Sequence, residues 1–526
     1  FDISGIGEVS VSKKAFKRMP NLRFLKFYKS KEDGNDSMNI PEEMEFPRRL
    51  RLLHWEAYPN KCLPPTLHLE HLVEFDMRGS KLEYLWEGTQ PLRSLKKMDL
   101  SGSFHLKELP DLSNAMNLER LELSSSKSLV ELPASFSHLQ KLKKLAMGGC
   151  LNLQVIPAHM NLASLEQVFL GGCSRLRNIP LISTNIKELH ISETAVENLP
   201  ASSKLWSRLW SLNIRCNKNL KKITHLPTGV THLELSYSDI ERIPNCIKAL
   251  HRLYSLNLTG CKRLASLPEL PGSLKSLMAE DCESLETVFC PLNTPNARLN
   301  FTNCFKLGQQ ARRVVVQQSF YVGAALLPGR EVPAEFNHRG RVNNSITICP
   351  DGNPYSGFVV CVVISSNQQD YSFSQLLCRR IGVAQDDFSP VEMLVYVGEV
   401  HKFRTEHLFI FDSRFLEFYP SDMSREIVLE LSSNSHDFDI IACGAKILKE
   451  ESIEGSYESG VDQVTEDDIE FVEPSEAYEE DLTNGVLSDS KEDENLDGEK
   501  HIDCWSCLFL CFDLSHLLRL VPGRRP

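Results

Sequence analysis

Two groups of residues in this chain have types and spacings that could do chemistry. The first is a cluster near the end: His501, Cys504, Cys507, Cys511 and His516. Thiolates and imidazoles with a Cys-x-x-Cys step can hold zinc tetrahedrally. The same cysteines lie in an apolar stretch, CWSCLFLCFDLSHLLRL, where a thiol could equally carry an acyl chain or do nothing specific. The last reading is the expectation, so no metal and no cofactor is assigned. No G-x-x-x-x-G-K-[ST] loop that would cradle phosphates occurs in the chain. No catalytic constellation stands out, and the chain is read as a non-enzyme.

The second group is a stripe drawn from equivalent places in a repeat. NLERLELSSSKSLVELP, KLKKLAMGGCLNLQVIP, SLEQVFLGGCSRLRNIP and RLYSLNLTGCKRLASLP share one pattern. Aligned on the first apolar residue, units start at Leu50, Leu72, Leu95, Leu118, Leu142, Leu165, Ile186, Leu209, Val230, Leu253 and Leu274, at spacings of 21 to 24 residues. The pattern L-x-x-L-x-L-x-x-[NC]-x-L at this period is the leucine-rich repeat. The residues four after each start are His54, Asp76, Asp99, Glu122, Ala146, Phe169, His190, Asn213, Glu234, Asn257 and Met278. All except Ala146 are candidates for binding a protein. Phe169 and Met278 carry the sharpest signal, because large apolar side chains on an exposed face mark contacts.

The elements that must position this stripe follow from the period. On a short strand, residues three and five after the start point one way. Leu121 and Leu123 therefore face the core, and Arg120 and Glu122 face out. One unit cannot bury its own apolar face, so units stack into a curved solenoid lined by a parallel sheet. The residue eight after the start sits where the chain leaves the sheet. Cys150, Cys173, Asn217, Cys261 and Cys282 occupy that corner, with Ser103, Ser126, Thr194 and Ser238 in other units. A buried side chain there can satisfy backbone groups leaving the ladder.

Composition bounds the class. The 526 residues carry a net charge of -12, and 42% are hydrophobic. From Lys449 to Asp503 the chain has 21 acidic and 3 basic residues, or -18, so the remainder is near +6. A nearly balanced body argues against general nucleic-acid binding. Four of the 16 cysteines sit at equivalent corners of separate units, which opposes a disulfide framework and favours a reducing, intracellular compartment. No apolar run reaches the ~20 residues of a membrane helix.

Around the repeats the pattern changes. Ser12 to Met19 reads as a short helix capped by Ser12, and Asn21 to Tyr28 as an early repeat strand. From about Val314, short apolar runs separated by Gly, Pro, Asn and Asp suggest an antiparallel sandwich. They include FYVGAALLPG, SITICP, FVVCVVISS, EMLVYVGEV, EHLFIFD, IVLELSS and IIACGAKIL. FSQLLCRRIGV at Phe373 is helix-like and reads as an insertion. Residues 450–503 are acidic and poor in large apolar side chains, hence expected to be disordered.

RLRLLHWEAYPNKCLPP, LVEFDMRGSKLEYLWEG, the Leu-Pro repeat endings and the corner cysteines resemble plant intracellular immune receptors of the TIR–nucleotide-binding–leucine-rich-repeat class. NFTNCFKL at Asn300 and LPGREVPAEFNHR at Leu327 resemble the segment that follows their repeats. The resemblance covers about residues 1 to 449. It implies a jelly-roll-like post-repeat domain, called C-JID, whose loops meet pathogen proteins, with Arg330 exposed to take part. The TIR NAD⁺ hydrolase and ADP/ATP-binding domains of that class are absent from this chain. The abrupt start without Met reads as a fragment.

The expected organisation has five parts. A repeat domain spans 1–295, with a lead-in segment 1–21. A connector covers 296–313, and a sandwich 314–449. An acidic linker covers 450–503 and a Cys-rich tail 504–526. The fold class is an α/β leucine-rich-repeat solenoid followed by an all-β sandwich. The expected function is recognition of a pathogen effector or a modified host protein. Upstream nucleotide-binding and TIR domains would complete an intact receptor, in the cytoplasm or nucleus, with no nucleic acid and no membrane insertion. The alternative is a stand-alone leucine-rich-repeat scaffold or adaptor. An extracellular receptor ranks third.

Overall fold

The computed structural model describes residues 1–2, 9–28, 38–158, 160–289, 294, 297–321, 323–340, 344–350, 355–367, 374–381, 392–412, 426–434 and 437–449. The acidic stretch and the Cys/His cluster lie outside the described residues. No helix among the described residues is long and apolar enough to cross a membrane.

One parallel sheet runs through the repeats. It begins at Phe24–Phe27, paired with Leu52–Trp55, and continues unit by unit through Arg120–Glu122, Gln167–Phe169 and Ser276–Met278 to Arg298–Asn300. Most strands are three residues long, with a buried residue between two half-exposed ones. Leu121, Leu145, Val168, Leu189 and Leu212 are the central, fully buried members of five consecutive strands. Leu123, Met147 and Leu170, two places on, are buried too. The outer wall is irregular. Three short 3₁₀ turns, Ala134–His138, Ala201–Leu205 and Asn245–Ala249, each follow a proline, which fixes φ for the turn.

Two local expectations fail. Residues 13 to 18 form successive four-residue turns, with Ala15, Lys17 and Met19 bonding back to Ser12, Lys14 and Phe16, and never become a helix. Ser374–Ile381 is a strand, not a helix. It lies between Glu392–Gly398 and Ile427–Ser433, with Ser374, Leu376 and Cys378 turned inward. Pairing on both edges overrides the helical preference of Gln, Leu and Arg.

The connection to the sandwich is continuous. After the helix Gln309–Gln318, Ala324–Pro328 pairs parallel with Arg298–Asn300 and antiparallel with His407–Asp412. The latter pairs with Tyr355–Ser366, which pairs with Phe438–Lys449. A second sheet runs Ser345–Ile348, Ile427–Ser433, Ser374–Ile381, Glu392–Gly398. Phe358, Val360, Val362, Phe409 and Phe411 face the core shared with this second sheet. Val359, Cys361, Val363, Leu408 and Ile410 face the opposite way, into the core that runs on into the solenoid.

Candidate functional site: the concave sheet face

The corners set the stripe's geometry. In each unit the residue seven after the start takes a left-handed backbone: Ala57, Gly79, Gly102, Ser125, Gly149, Gly172, Glu193, Cys216, Tyr237, Gly260 and Asp281. Glycine meets no steric cost in this region, and other residues do. At Gly172 a Cβ would sit 3.2 Å from the nitrogen of Gly149. The next residue turns inward. Cys150 donates its thiol hydrogen to the Leu123 carbonyl at 3.2 Å, and Cys173, Cys261 and Cys282 do the same to Met147, Leu235 and Leu258. Ser126 and Ser238 donate to Leu100 and Ile214. Asn217 donates to the Thr194 hydroxyl, 3.0 Å away. Burial pushes the Cys261 thiol up to about 12, so it stays protonated and donating. The described cysteines are unpaired.

With the corners fixed, the stripe is a single row. The register aligns His54 with Asp76, then Asp99, Glu122, Ala146, Phe169, His190, Asn213, Glu234, Asn257 and Met278. The members are not equivalent. Asp76, Asp99, Asn213, Glu234 and Asn257 each accept the backbone N–H of the residue two places on, where the chain turns off the sheet. This is the local side-chain-to-backbone bond that short polar side chains favour at turns. Asn257 also donates to Glu234 at 2.8 Å. These residues therefore have a structural duty that sequence reading did not assign. A polar residue recurring two places before a turn was its signal.

The N-terminal end is an ion-pair knot. His54 is buried and holds Asp76 at 2.9 Å through Nδ1. Arg78 grips the same carboxylate from Nε and Nη2. Burial holds His54 below its ordinary range, against the pull of Asp76. Glu122 is paired with Lys144 at 2.9 Å.

Phe169 has no such duty. Its ring lies 4.7 Å from the His190 ring, and Lys144 Nζ stands 5.5 Å from its centroid. Burial also lowers His190, so the imidazole beside Phe169 is neutral at pH 7. A half-buried aromatic pair thus sits mid-row with a cation over one ring. Met278 stands half-buried near the far end, between Asn257 and Asn300. Arg330 lies away from the row, beyond the last parallel strand, 77% exposed and 3.4 Å from Glu406.

A second aromatic group was missed because it lies in a different row, one residue after the unit start. Trp210 and Tyr254 are 42% and 48% exposed. Between them His232 meets Trp210 edge-on at 5.8 Å and Tyr254 at 5.9 Å. Its signal was in the sequence: Arg-Leu-aromatic-Ser-Leu-Asn occurs at Arg208 and again at Arg252.

A stacked parallel sheet with a recurring left-handed corner and an inward corner side chain defines a leucine-rich-repeat solenoid. The Leucine Rich Repeat family matches residues 71–90. Disease resistance protein RML1B of Arabidopsis thaliana is 61% identical over 481 residues, covering 91% of this chain and 46% of that protein. Disease resistance protein RML1A of the same plant is 48% identical over 466 residues, covering 88% and 46%. A solved leucine-rich-repeat protein of Leptospira interrogans overlays 61% of this chain and 94% of its own at 17% identity and TM-score 0.39. Over about nine tenths of its length the chain is similar to these disease resistance proteins, and it carries a leucine-rich-repeat region. It spans about half the length of the curated relatives it matches.

Proposed function

We propose that this region recognises a pathogen protein, or a host protein altered by one, through its concave face and the loops of the sandwich. In an intact cytoplasmic or nuclear receptor with nucleotide-binding and TIR domains, a partner that binds the active state more tightly would shift the closed–active equilibrium by that difference in affinity. The observation that supports this reading is the Phe169–His190 pair. It is aromatic and uncharged, it is central in a row whose polar members are mostly committed to hydrogen bonds or ion pairs, and no backbone bond of the repeat needs its side chains. Interface hot spots are few, central and rich in aromatic side chains. A wide, rigid sheet face suits a protein more than a small molecule.

Phe169→Ala is expected to abolish binding of the recognised protein in a pull-down or titration with the full chain, while the melting temperature stays nearly unchanged. Lost binding together with a lost melting transition would make Phe169 a structural residue. Full binding by the variant would move the site to the sandwich loops, with Arg330→Ala as the discriminating substitution.

A further inference from the structure

The two copies of Arg-Leu-aromatic-Ser-Leu-Asn lie two strands apart on the same sheet. Trp210 passes its carbonyl to the Thr231 N–H at 2.9 Å, and Thr231 passes its own to Tyr254 at 2.8 Å. Trp210, Thr231 and Tyr254 are therefore neighbours across the sheet, with the His232 ring bridging the two outer aromatics. Thr231 holds that ring in place through a 2.8 Å contact to Nδ1. Burial keeps His232 below its ordinary range, so the ridge is an uncharged surface of three rings. Two residues before each exposed aromatic stands an exposed arginine, Arg208 and Arg252. Neither guanidinium has an ion-pair partner among the described residues.

We infer that Trp210, His232 and Tyr254, flanked by Arg208 and Arg252, form a docking site for an acidic, proline-containing segment of a partner protein in the polyproline II conformation. Two observations select this occupant, on the reading that the concave face takes a protein. The first is spacing. Two strand steps are about 9.6 Å. Three residues of polyproline II rise about 9.3 Å and complete one turn, so residues i and i+3 face the same way. Prolines at that interval would pack on Trp210 and Tyr254 together, as such segments do in aromatic-lined grooves. A β-strand cannot match, because its residues i and i+3 point to opposite faces. The second observation is charge. Carboxylates at i+1 and i+4 form a parallel edge on the same helix and would meet Arg208 and Arg252. A nucleic acid fits less well. It needs a continuous basic field, whereas Glu188 and Glu234 lie on the strands beside the rings.

The test uses the full chain and a capped peptide of four Pro-Glu-Ala repeats. Binding is followed by the emission of exposed Trp210 and by calorimetry. The peptide is expected to bind with a blue shift. A peptide of the same composition with proline every fourth residue should bind at least tenfold more weakly. Trp210→Ala and Tyr254→Ala should each weaken binding tenfold or more without moving the melting temperature. The double variant Arg208→Glu, Arg252→Glu should reject this peptide and accept four Pro-Lys-Ala repeats. Equal binding of the period-four peptide, or no exchange of charge preference, overturns the proposal. Displacement of the peptide by oligo-dT at equal strength would make the ridge a nucleic-acid site and overturn it too. Phe169→Ala, two strands away, should leave peptide binding intact. Failure of the peptide while Phe169→Ala still abolishes recognition removes this site and leaves the concave-face reading standing.

Discussion

The solenoid and the sandwich bury their strands in different ways. A solenoid strand such as Gln167–Phe169 buries one face and leaves the other for contacts. Its neighbours are the units before and after it, about 23 residues away in sequence. The sandwich strand Tyr355–Ser366 is buried on both faces in its middle, with Val359, Cys361 and Val363 on one side and Val360 and Val362 on the other. Its partners, His407–Asp412 and Phe438–Lys449, come from far along the chain. The lesson is where each region can tolerate variation. The solenoid has a free face and repeated, nearest-neighbour stability. The inner strands of the sandwich have no free face, so recognition there falls to its loops and to the outer face of the second sheet.

The largest effects should separate the two regions by their reach. Leu145→Ala is expected to cost about 2–5 kcal/mol and Phe409→Ala about 3–5 kcal/mol, read by urea titration. Hydrogen exchange then sharpens the contrast. Leu145→Ala should speed exchange in the adjoining strands around Leu121 and Val168, leaving the sandwich protected. Equal loss of protection at Val360 and Phe411 would show that the two regions unfold together. A loss below about 1 kcal/mol for Leu145→Ala would count against stacking itself.

A medium effect belongs to the junction. The buried ring of His407 accepts the Asn303 N–H on Nε2 at 3.0 Å and contacts the Thr405 carbonyl from Nδ1 at 2.8 Å. That pattern fits only the neutral imidazole. Burial lowers its pKa from 6.5 to about 4. A depressed histidine stabilises the fold fully above its unfolded value and loses that contribution as pH falls through 6.5 towards about 4. At most about 3 kcal/mol is involved, since a tenfold change in proton affinity is worth about 1.4 kcal/mol. The difference in stability between the native chain and His407→Gln should therefore shrink over that window. A pH-independent difference would show that the ring is not the titrating group.

The smallest effect tests the corners. Cys150→Ala should cost about 1 kcal/mol, because the Leu123 carbonyl loses the thiol and keeps only the Ser126 N–H. Cys150→Ser should cost less, since serine fills the same corner at Ser126. If alanine and serine behave alike in thermal melts, the corner bond contributes nothing and the site wants only volume.

The same contrast explains what was legible in the sequence. Strand positions, buried leucines and corner residues of the solenoid follow from one period, so Leu121, Leu145 and Leu212 were readable as core. The early strand at Phe24–Phe27 was readable too. The sandwich strands were visible as apolar runs, but their pairing depends on contacts far apart in sequence, and no local pattern reports it. Ser374–Ile381 is the clearest case: its composition favours a helix, while its inward Ser374, Leu376 and Cys378 alternate as a strand. The helix Gln309–Gln318 was not anticipated, because its buried Ala311, Val314 and Val315 fall in a short polar stretch. On the concave face, position was readable and role was not. Asp99 and Phe169 occupy the same place in the row, and only the hydrogen bond from Ser101 to Asp99 tells a brace from a free surface. Trp210 and Tyr254 stand one residue after the unit starts Leu209 and Leu253, where the repeat pattern sets no residue type and so gives no signal of a role.

The pairing of Ala324–Pro328 has one further consequence. A stack of parallel strands ends in a row of unpaired amides and carbonyls, an open template on which another chain could add. Here the last parallel strand is closed by an antiparallel neighbour, His407–Asp412, which reverses the direction of growth and hands the sheet to a layer buried on both faces. The sandwich thus works as a terminator: it stops the solenoid from polymerising end to end through this edge, whatever its loops go on to bind.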